Sequence, residues 1–505
     1  MRTLPDRYYL TIQYITTDMK IGIIQTAPLT ADFSNNVRKI VQGYRDCMDH
    51  GFDLVVAPAH ALCGAGVKDL ADRTSFLEQT QTALEYLSKE INGAPLLLAS
   101  YVPMPNFMAY EDEDDFEEDE LMGAVPQQGL LVPYLVESHS VTELEEAATV
   151  EINGVNVYVD LNDMEVYIDD EDPDVIVHLP TRSWDSQAAA DNEERRQWEA
   201  KTNGVPVVCV QHVSTCEGII YAGGSAVYSA DGHTHTRLNF FEADNAVADL
   251  DAVPTARALP KPEELLNSAL VKGIRDTVLN NKYEGACISL DNANSLLLSL
   301  LCVEALGAAN VHGFTFSEPS PSIRSLGINI HTMSLQGTAQ NLASGLEGVE
   351  APILEERIKN AITISYADSH ALMPMTSITR NELMMGNFVL YGDTSGYLAP
   401  LGNLYQMDVH TLCRLYQEKI ANVFDTLSEP SAPEIDRIIH ELADRNISAG
   451  SLIRDYMCPF DENSIRMVQR RIVSSAFRRT QTPMILHVDK EEERNDLPSH
   501  HRLND

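Results

Sequence analysis

One stretch whose placement could do chemistry is Leu290–Ser295, LDNANS. It joins a strand-forming run, EGACISL, to an apolar helix-forming run, NSLLLSLLCVEALG. A strand-to-helix turn aims backbone N–H groups and the positive end of the helix dipole at one point, which favours a phosphate there. Turns of this kind use glycine so that the backbone can approach the anion. Here no glycine occurs between Gly285 and Gly307, and Asp291 adds a negative charge. The helix dipole remains, enough for weak anion binding. His60 follows a strand and could act as a base or simply be a polar residue at a strand end. Thr181 and Ser183 carry hydroxyls, but an alcohol is a poor nucleophile without a base beside it. Cys63 reads as packing. Arg478-Arg479 could hold a phosphate or form a solvated pair at a helix end.

Composition narrows the classes. The eight cysteines (47, 63, 209, 216, 287, 302, 413, 458) contain no CxxC pair, so neither a zinc site nor a disulfide framework is expected. Most lie in apolar runs and read as small buried hydrophobes in a reducing compartment. With 36 basic and 75 acidic residues, the formal charge is -39. That argues against nucleic acid and against an anionic membrane surface as partners. Nine of the ten residues from Glu111 to Glu120 are acidic. The run reads as a solvated loop, with a cation site or a docking tail as alternatives. No apolar run reaches the roughly 20 residues that span a bilayer. The first 18 residues lack the apolar core of a signal peptide, and Met19 is read as the real or an alternative start. A cytoplasmic protein is expected.

At 505 residues, two domains are the natural expectation. Residues 1–18 form an N-terminal extension. Over 19–243, short apolar runs (20–25, 53–58, 95–100, 154–161, 174–180, 205–213) alternate with helical patterns such as 74–91, and Asp231-Gly232 marks a turn. Residues 244–262 are irregular and are expected to be a linker. Over 263–505 a βαβ pattern (284–290, a helix stopped by Gly307, then 310–316) implies a parallel sheet, and a mostly helical tail follows from about Thr411 to Thr480.

Several strings resemble one family in order and spacing. ALVKGIRD, VEALGAANVHGF, ELMMGNFVLYGDTSG, FRRTQTP and the closing RNDLPSHHRLND are similar to the synthetase domain of glutamine-dependent NAD synthetases. MKIGIIQTAP, GFDLVVAPAHALCG and PVVCVQHVSTCEGIIYAGGSAVYSADG resemble the nitrilase-type glutaminase domain fused to it. The resemblance covers about residues 19–505. It implies an α/β chain: a nitrilase-like αββα sandwich followed by a Rossmann-like parallel-sheet synthetase domain of the ATP-pyrophosphatase type. In the family the first domain strips ammonia from glutamine. The second adenylates deamido-NAD with ATP and lets ammonia displace AMP.

The resemblance also places the family's working residues, and most have changed. The glutaminase glutamate falls on Ala59, the lysine on Gly129 and the nucleophilic cysteine at about Thr181. The family's Cys-Glu-Asp string has become Tyr158-Val159-Asp160. No lysine lies between Lys89 and Lys201, and no cysteine between Cys63 and Cys209. The Ser-Gly-Gly-x-Asp-Ser loop for ATP has become LDNANS, one residue shorter, in which only Ser295 keeps its identity and Asn294 stands beside it. Thr376 and Glu382 persist from a Thr-Thr-Gly-Asn-Lys-Ser-Glu string whose lysine is now Arg380. Glu382 is the family's magnesium ligand. Arg357 is the one arginine left of a nucleotide-binding helix. The acidic, proline-containing loop expected after SEPSAPEID is replaced by RIIHELADRNIS. Leu390-Tyr391-Gly392-Asp393 is intact; it either helps to hold deamido-NAD or keeps a turn in which Gly392 supplies an unusual backbone angle.

Three functions follow as expectations. The first is a catalytically inactive NAD-synthetase-like scaffold or regulatory subunit, forming a homo-oligomer or a hetero-oligomer with an active synthetase. The second is a ligase that uses free ammonia and needs Mg-ATP. The third is a sensor of NAD or deamido-NAD.

Overall fold

The computed structural model describes residues 19–48, 50–103, 129–145, 147–166, 173–186, 188–254, 256–417 and 433–488. The extension 1–18, the acidic run 111–120 and the closing segment lie outside them. The chain divides into two compact units. One runs to Leu259 apart from Trp184–Ser186 and Glu217–Ile220; the other begins at Pro260 and includes those two short segments.

The first unit holds strands β1 (Lys20–Gln25), β2 (Leu54–Ala59), β3 (Leu96–Pro103), β4 (Gly129–Glu137), β5 (Ser140–Glu143), β6 (Ala147–Ile152), β7 (Val155–Asp160), β8 (Val175–His178), β9 (Val207–Cys209), β10 (Val213–Cys216), the second half of β11 (Ile219–Ala222), β12 (Ala226–Tyr228), β13 (Thr234–Arg237) and β14 (Asp244–Asp249). Its helices are α1 (Phe33–Met48), α2 (Thr74–Glu90) and α3 (Ala188–Asn203). Two six-stranded sheets form, in the orders β14-β1-β2-β3-β4-β5 and β13-β12-β9-β8-β7-β6. Strand alternation explains the layering. Ile21, Ile23, Leu54 and Val56 of the first sheet share one apolar cluster with Val157, Val175, Val177 and Val208 of the second. The opposite face of the first sheet, with Ile24, Val55 and Leu98, packs on α1 and α2 through Val37, Ile40, Tyr44, Leu84 and Leu87. The second sheet's outer face packs Ile176, Val207 and Tyr228 near Ala200 of α3. The result is the expected αββα sandwich. Each fully buried aliphatic side chain contributes roughly 1.5–3 kcal/mol relative to exposure.

Two boundaries differ from expectation. The run 205–213 is broken after Cys209, because the Gln211 N–H turns to the Ser225 hydroxyl at 3.0 Å instead of to a strand. Residues 244–249, expected within the linker, form β14 and pair antiparallel with all of β1. Ala248 is buried in the inter-sheet core, so even this polar-looking segment has an apolar face to bury.

The second unit holds β15 (Gly285–Ser289), β16 (Val311–Thr315), β17 (Asn329–Thr332), β18 (Leu372–Met375), β19 (Leu398–Ala399) and β20 (Met484–Ile485). Its helices are α4 (Pro262–Asn280), α5 (Ala293–Leu306), α6 (Pro321–Ser325), α7 (Thr338–Ala343), α8 (Ala351–Ser369), α9 (Arg380–Met385), α10 (Gln406–Gln417), α11 (Pro433–Ile439), α12 (Ala449–Arg454) and α13 (Glu462–Arg479). The sheet runs β17-β16-β15-β18-β19-β20, and every neighbouring pair is parallel. Chain order therefore moves one way from β15 to β17, then reverses at β18. In such sheets the crevice outside the carboxyl ends of the two strands at the reversal is where ligands bind. Gly307 ends α5 with φ +83°, the stop expected of it.

Candidate functional site

The reversal point carries a cleft. Ser289, Asp291 and Asn292 reach it from β15, Thr376, Ser377 and Ile378 from β18, and Asn360 from α8; Glu382, Asn387, Phe388 and Asp393 complete it. Its volume is about 60 Å³, against roughly 300–1,000 Å³ for pockets that enclose whole cofactors. Three carboxylates line it and, among the described residues, no lysine or arginine does.

The helix end beneath the cleft is occupied by its own side chains. Asn292 caps α5: its Oδ1 accepts the Ser295 N–H at 2.8 Å, and the Ser295 hydroxyl accepts the Asn292 N–H at 3.2 Å and donates to the Asn292 carbonyl at 2.7 Å. This reciprocal box satisfies donors that a phosphate would otherwise use. Asp291 accepts from the Ser289 hydroxyl at 2.6 Å. Burial alone would lower the Lys359 ammonium. The Glu356 hydrogen bond, with the charges of Glu356, Asp291 and Glu355, instead holds it above its ordinary value. Its ion pairs run to Glu356 at 2.8 Å and Glu355 at 3.6 Å.

The other nucleotide-site residues are engaged in the same way. Thr376 donates to the Asp393 carbonyl. Asp393 accepts the Val389 N–H at 2.7 Å. Glu382 caps α9, one oxygen accepting both the N–H and the hydroxyl of Thr379 at 2.8 Å. Burial, and then the nearby Asp393 charge, push its carboxyl above the usual range. Arg380 pairs with Asp444 and reaches the Tyr405 hydroxyl at 3.3 Å. Arg357 donates to the Leu390 carbonyl at 3.1 Å. Arg478 donates to the Gly386 and Phe388 carbonyls, and Arg479 to the Ile472 carbonyl at 2.8 Å. Both arginines therefore bind carbonyls of their own unit.

In the first unit, the ends of β2 and β3 place His60, Cys63 and Tyr101 beside His212. The His60 ring stacks on Tyr101 at 5.7 Å and meets His212 edge-on at 5.8 Å. Cys63 Sγ lies 3.9 Å from His60 Nδ1. Burial pushes the Cys63 thiol up to about 12 and holds His60 down at about 4. A thiol and a neutral imidazole result, not the thiolate that nucleophilic attack needs.

A family model for NAD synthase matches residues 266–482. The chain is 23% identical to the glutamine-dependent NAD(+) synthetase of Synechocystis sp., covering 82% of this chain and 84% of that protein. It is 22% identical to the enzyme of the same name from Thermotoga maritima, covering 79% and 81%. The second unit thus matches the NAD synthase family model, and the chain as a whole is similar to glutamine-dependent NAD synthetases over about four fifths of its length. Among solved structures, a glutamine-dependent NAD(+) synthetase from Cytophaga hutchinsonii superposes with a TM-score of 0.80 at 12% identity, over 96% of this chain and 98% of that one. The enzyme from Acinetobacter baumannii, in complex with ADP, gives 0.69 at 16% identity over the same shares. These likenesses bear on fold: a nitrilase-like sandwich and a Rossmann-like synthetase unit.

Within that NAD synthetase frame, Ala59 and Gly129 share one rim of the first sheet, at the carboxyl end of β2 and the amino end of β4. Ala59 is fully buried in the inter-sheet apolar cluster with Leu97, Ala99 and Leu179. A side chain at Gly129 would meet the Ala71 carbonyl oxygen at 2.5 Å, so no lysine fits there without moving backbone. Thr181, half-exposed, follows β8. Gly392 corrects an expectation: the left-handed angle falls on Tyr391, at φ 60°. Gly392 is needed for space, because a Cβ would come within 2.9 Å of Val389 and 3.2 Å of Glu356.

Sequence reasoning missed a buried ionic network beside Thr181. His178 Nδ1 faces Asp160 at 2.9 Å, and its Nε2 faces Glu199 at 3.0 Å and Arg196 at 2.8 Å. Arg196 also pairs with Glu199 at 2.6 Å and Asp163 at 2.5 Å. Burial would raise Glu199, but the His178 hydrogen bond and the Arg196 charge hold it below the usual carboxylate range. A lone histidine inside the apolar run DVIVHLP was its sequence signal. His178, Arg196 and Glu199 are fully buried, which closes them to substrate.

Proposed function

We propose that this chain is a non-catalytic member of the NAD synthetase family, a cytoplasmic scaffold or regulatory subunit that neither hydrolyses glutamine nor activates deamido-NAD with ATP. One observation carries the proposal. The cleft at the sheet's reversal presents three carboxylates and no lining cation among the described residues, above a helix end where the Asn292 and Ser295 N–H groups are already bonded within a capping box. A triphosphate bound there would meet like charge without compensation. Magnesium does not repair this. Magnesium on a nucleotide needs one or two protein carboxylates beside the phosphates, but here Glu382 is committed to capping α9 and Asp393 to the Val389 N–H. The residues present do not fit Mg-ATP.

The lost glutaminase positions support the same conclusion. Ala59 would place a carboxylate in an apolar core, and the Gly129 position is closed to a lysine by Ala71. Retained cores and turns would preserve the surfaces through which such chains assemble with copies of themselves or with an active homologue. The competing ligase reading rests on Ser295, Glu382 and the Leu390-Tyr391-Gly392-Asp393 turn. The sensor reading rests on that turn alone. Thermal-shift titrations separate the three. No shift with Mg-ATP and none with deamido-NAD is expected; a shift with deamido-NAD alone would favour the sensor, and one that needs Mg-ATP would favour the ligase.

A further inference from the structure

Arg380 opens α9 and stands in sequence between Ile378 and Glu382, which both line the cleft, yet its own side chain does not line it. Its guanidinium pairs instead with Asp444. The second Asp444 oxygen accepts the Tyr405 hydroxyl and lies 3.1 Å from His440 Nδ1. Arg380 Nε donates to the same Tyr405 oxygen at 3.3 Å, and its guanidinium carbon sits 5.7 Å from the centre of the Tyr405 ring. Asp444 is delivered by a turn of π-helix, His440–Asp444, that continues α11 and closes with the Arg445 N–H on the His440 carbonyl at 2.9 Å. A turn closed over five residues holds one more than an α-turn, which rotates the side chains that follow. From α11 itself, Asp436 accepts from the Asn381 amide and from the Met407 N–H at 3.0 Å. Two carboxylates of one segment are thus fastened to the first two residues of α9.

We propose that Asp444 takes the place of an anionic ligand on Arg380, an autoinhibitory contact whose release opens a site for a phosphate-bearing ligand at the cleft. The inference rests on the reading of the cleft as non-catalytic and assigns part of that loss to one residue. Carboxylate and phosphate compete for the same fork of guanidinium N–H donors. Asp444 is tethered, so it competes at a high effective concentration that a free phosphate must exceed. Tyr405 and His440 engage its second oxygen, which leaves the carboxylate well satisfied. The Arg380 and Asp444 side chains are only 18% and 14% exposed, so removing the carboxylate leaves a largely buried cation that must find another partner. The nearest excess of negative charge is the cleft, with Asp291, Glu382 and Asp393. Drawn there, Arg380 offsets the repulsion that those carboxylates exert on a phosphate.

The test is calorimetric titration of the full-length protein with inorganic pyrophosphate, comparing the wild type, Asp444→Asn and the double variant Asp444→Asn/Arg380→Gln. Asparagine keeps an acceptor for Tyr405 and removes the charge. Asp444→Asn is expected to bind pyrophosphate about 10- to 100-fold more tightly than the wild type, and the double variant to lose that gain. Equal affinity in wild type and Asp444→Asn would overturn the proposal. So would a gain that survives Arg380→Gln, because it would come from the lost negative charge alone. Mg-ATP titrated into the wild type keeps the two claims apart. Tight binding there contradicts the non-catalytic reading and this inference with it; no binding there, with no gain in Asp444→Asn, overturns the inference alone. If Asp444→Asn does not fold, Tyr405→Phe removes the hydroxyl that Arg380 and Asp444 share. A several-fold gain in pyrophosphate affinity is then expected, and wild-type affinity overturns the proposal.

Discussion

At the residue scale, loss of chemistry is a matter of protonation and fit. Cys63 is buried and its thiol stands at about 12, so iodoacetamide at pH 8 should leave it unmodified in the folded protein, as peptide mass spectrometry would show; rapid labelling there would mean an activated thiolate. His60 has a stability consequence. Its folded value of about 4 lies below its ordinary 6.5, so between those values the unfolded chain takes up a proton that the folded chain refuses. The stability present above about pH 6.5 is therefore lost as pH falls towards 4, by about 2–3 kcal/mol from this residue between pH 7 and 4.5. Denaturant unfolding of His60→Gln should show a shallower acid decline than the wild type. The Leu390–Asp393 turn gives a paired test. Gly392→Ala should cost about 1–3 kcal/mol through its contacts with Val389 and Glu356. Tyr391→Gly, which relieves a left-handed angle at an exposed residue, should be neutral or stabilising by up to about 1 kcal/mol.

At the element scale, side chains that look like ligand-binding remnants serve as caps. Asn292→Ala should lower stability by about 1 kcal/mol, and Glu382→Ala by a similar amount, with no dependence on magnesium in either melting curve. A magnesium-dependent stabilisation lost in Glu382→Ala would mean that the carboxylate holds a metal. The elements themselves were largely legible. Apolar alternation located β1, β2 and β3, helical spacing located α2, and the βαβ pattern at 284–316 foretold a parallel sheet. Legibility failed where tertiary contacts decide. β14 has few apolar residues and is a strand because β1 offers it an edge. Gly392 was chosen for space and not for angle, which depends on Val389 and Glu356 arriving from elsewhere. The His178 network joins residues from β7, β8 and α3 that no local pattern links.

At the scale of the whole molecule, a formal charge of -39 on 505 residues sets the background. Self-repulsion of that size is screened over about 10 Å at 0.1 M salt, so raising sodium chloride from 20 to 300 mM should raise the melting temperature; an unchanged or lower value would mean that the charge is already neutralised by bound cations. The same excess of carboxylates reaches into the cleft, where a family that handles ATP would need cations. The most direct test is NAD formation by the purified chain supplied with deamido-NAD, ATP and magnesium, once with ammonia and once with glutamine, beside an active synthetase. No NAD in either mixture is the expected result. NAD formed with ammonia would show that this cleft activates deamido-NAD with ATP despite its carboxylates, and the chain would then be a ligase.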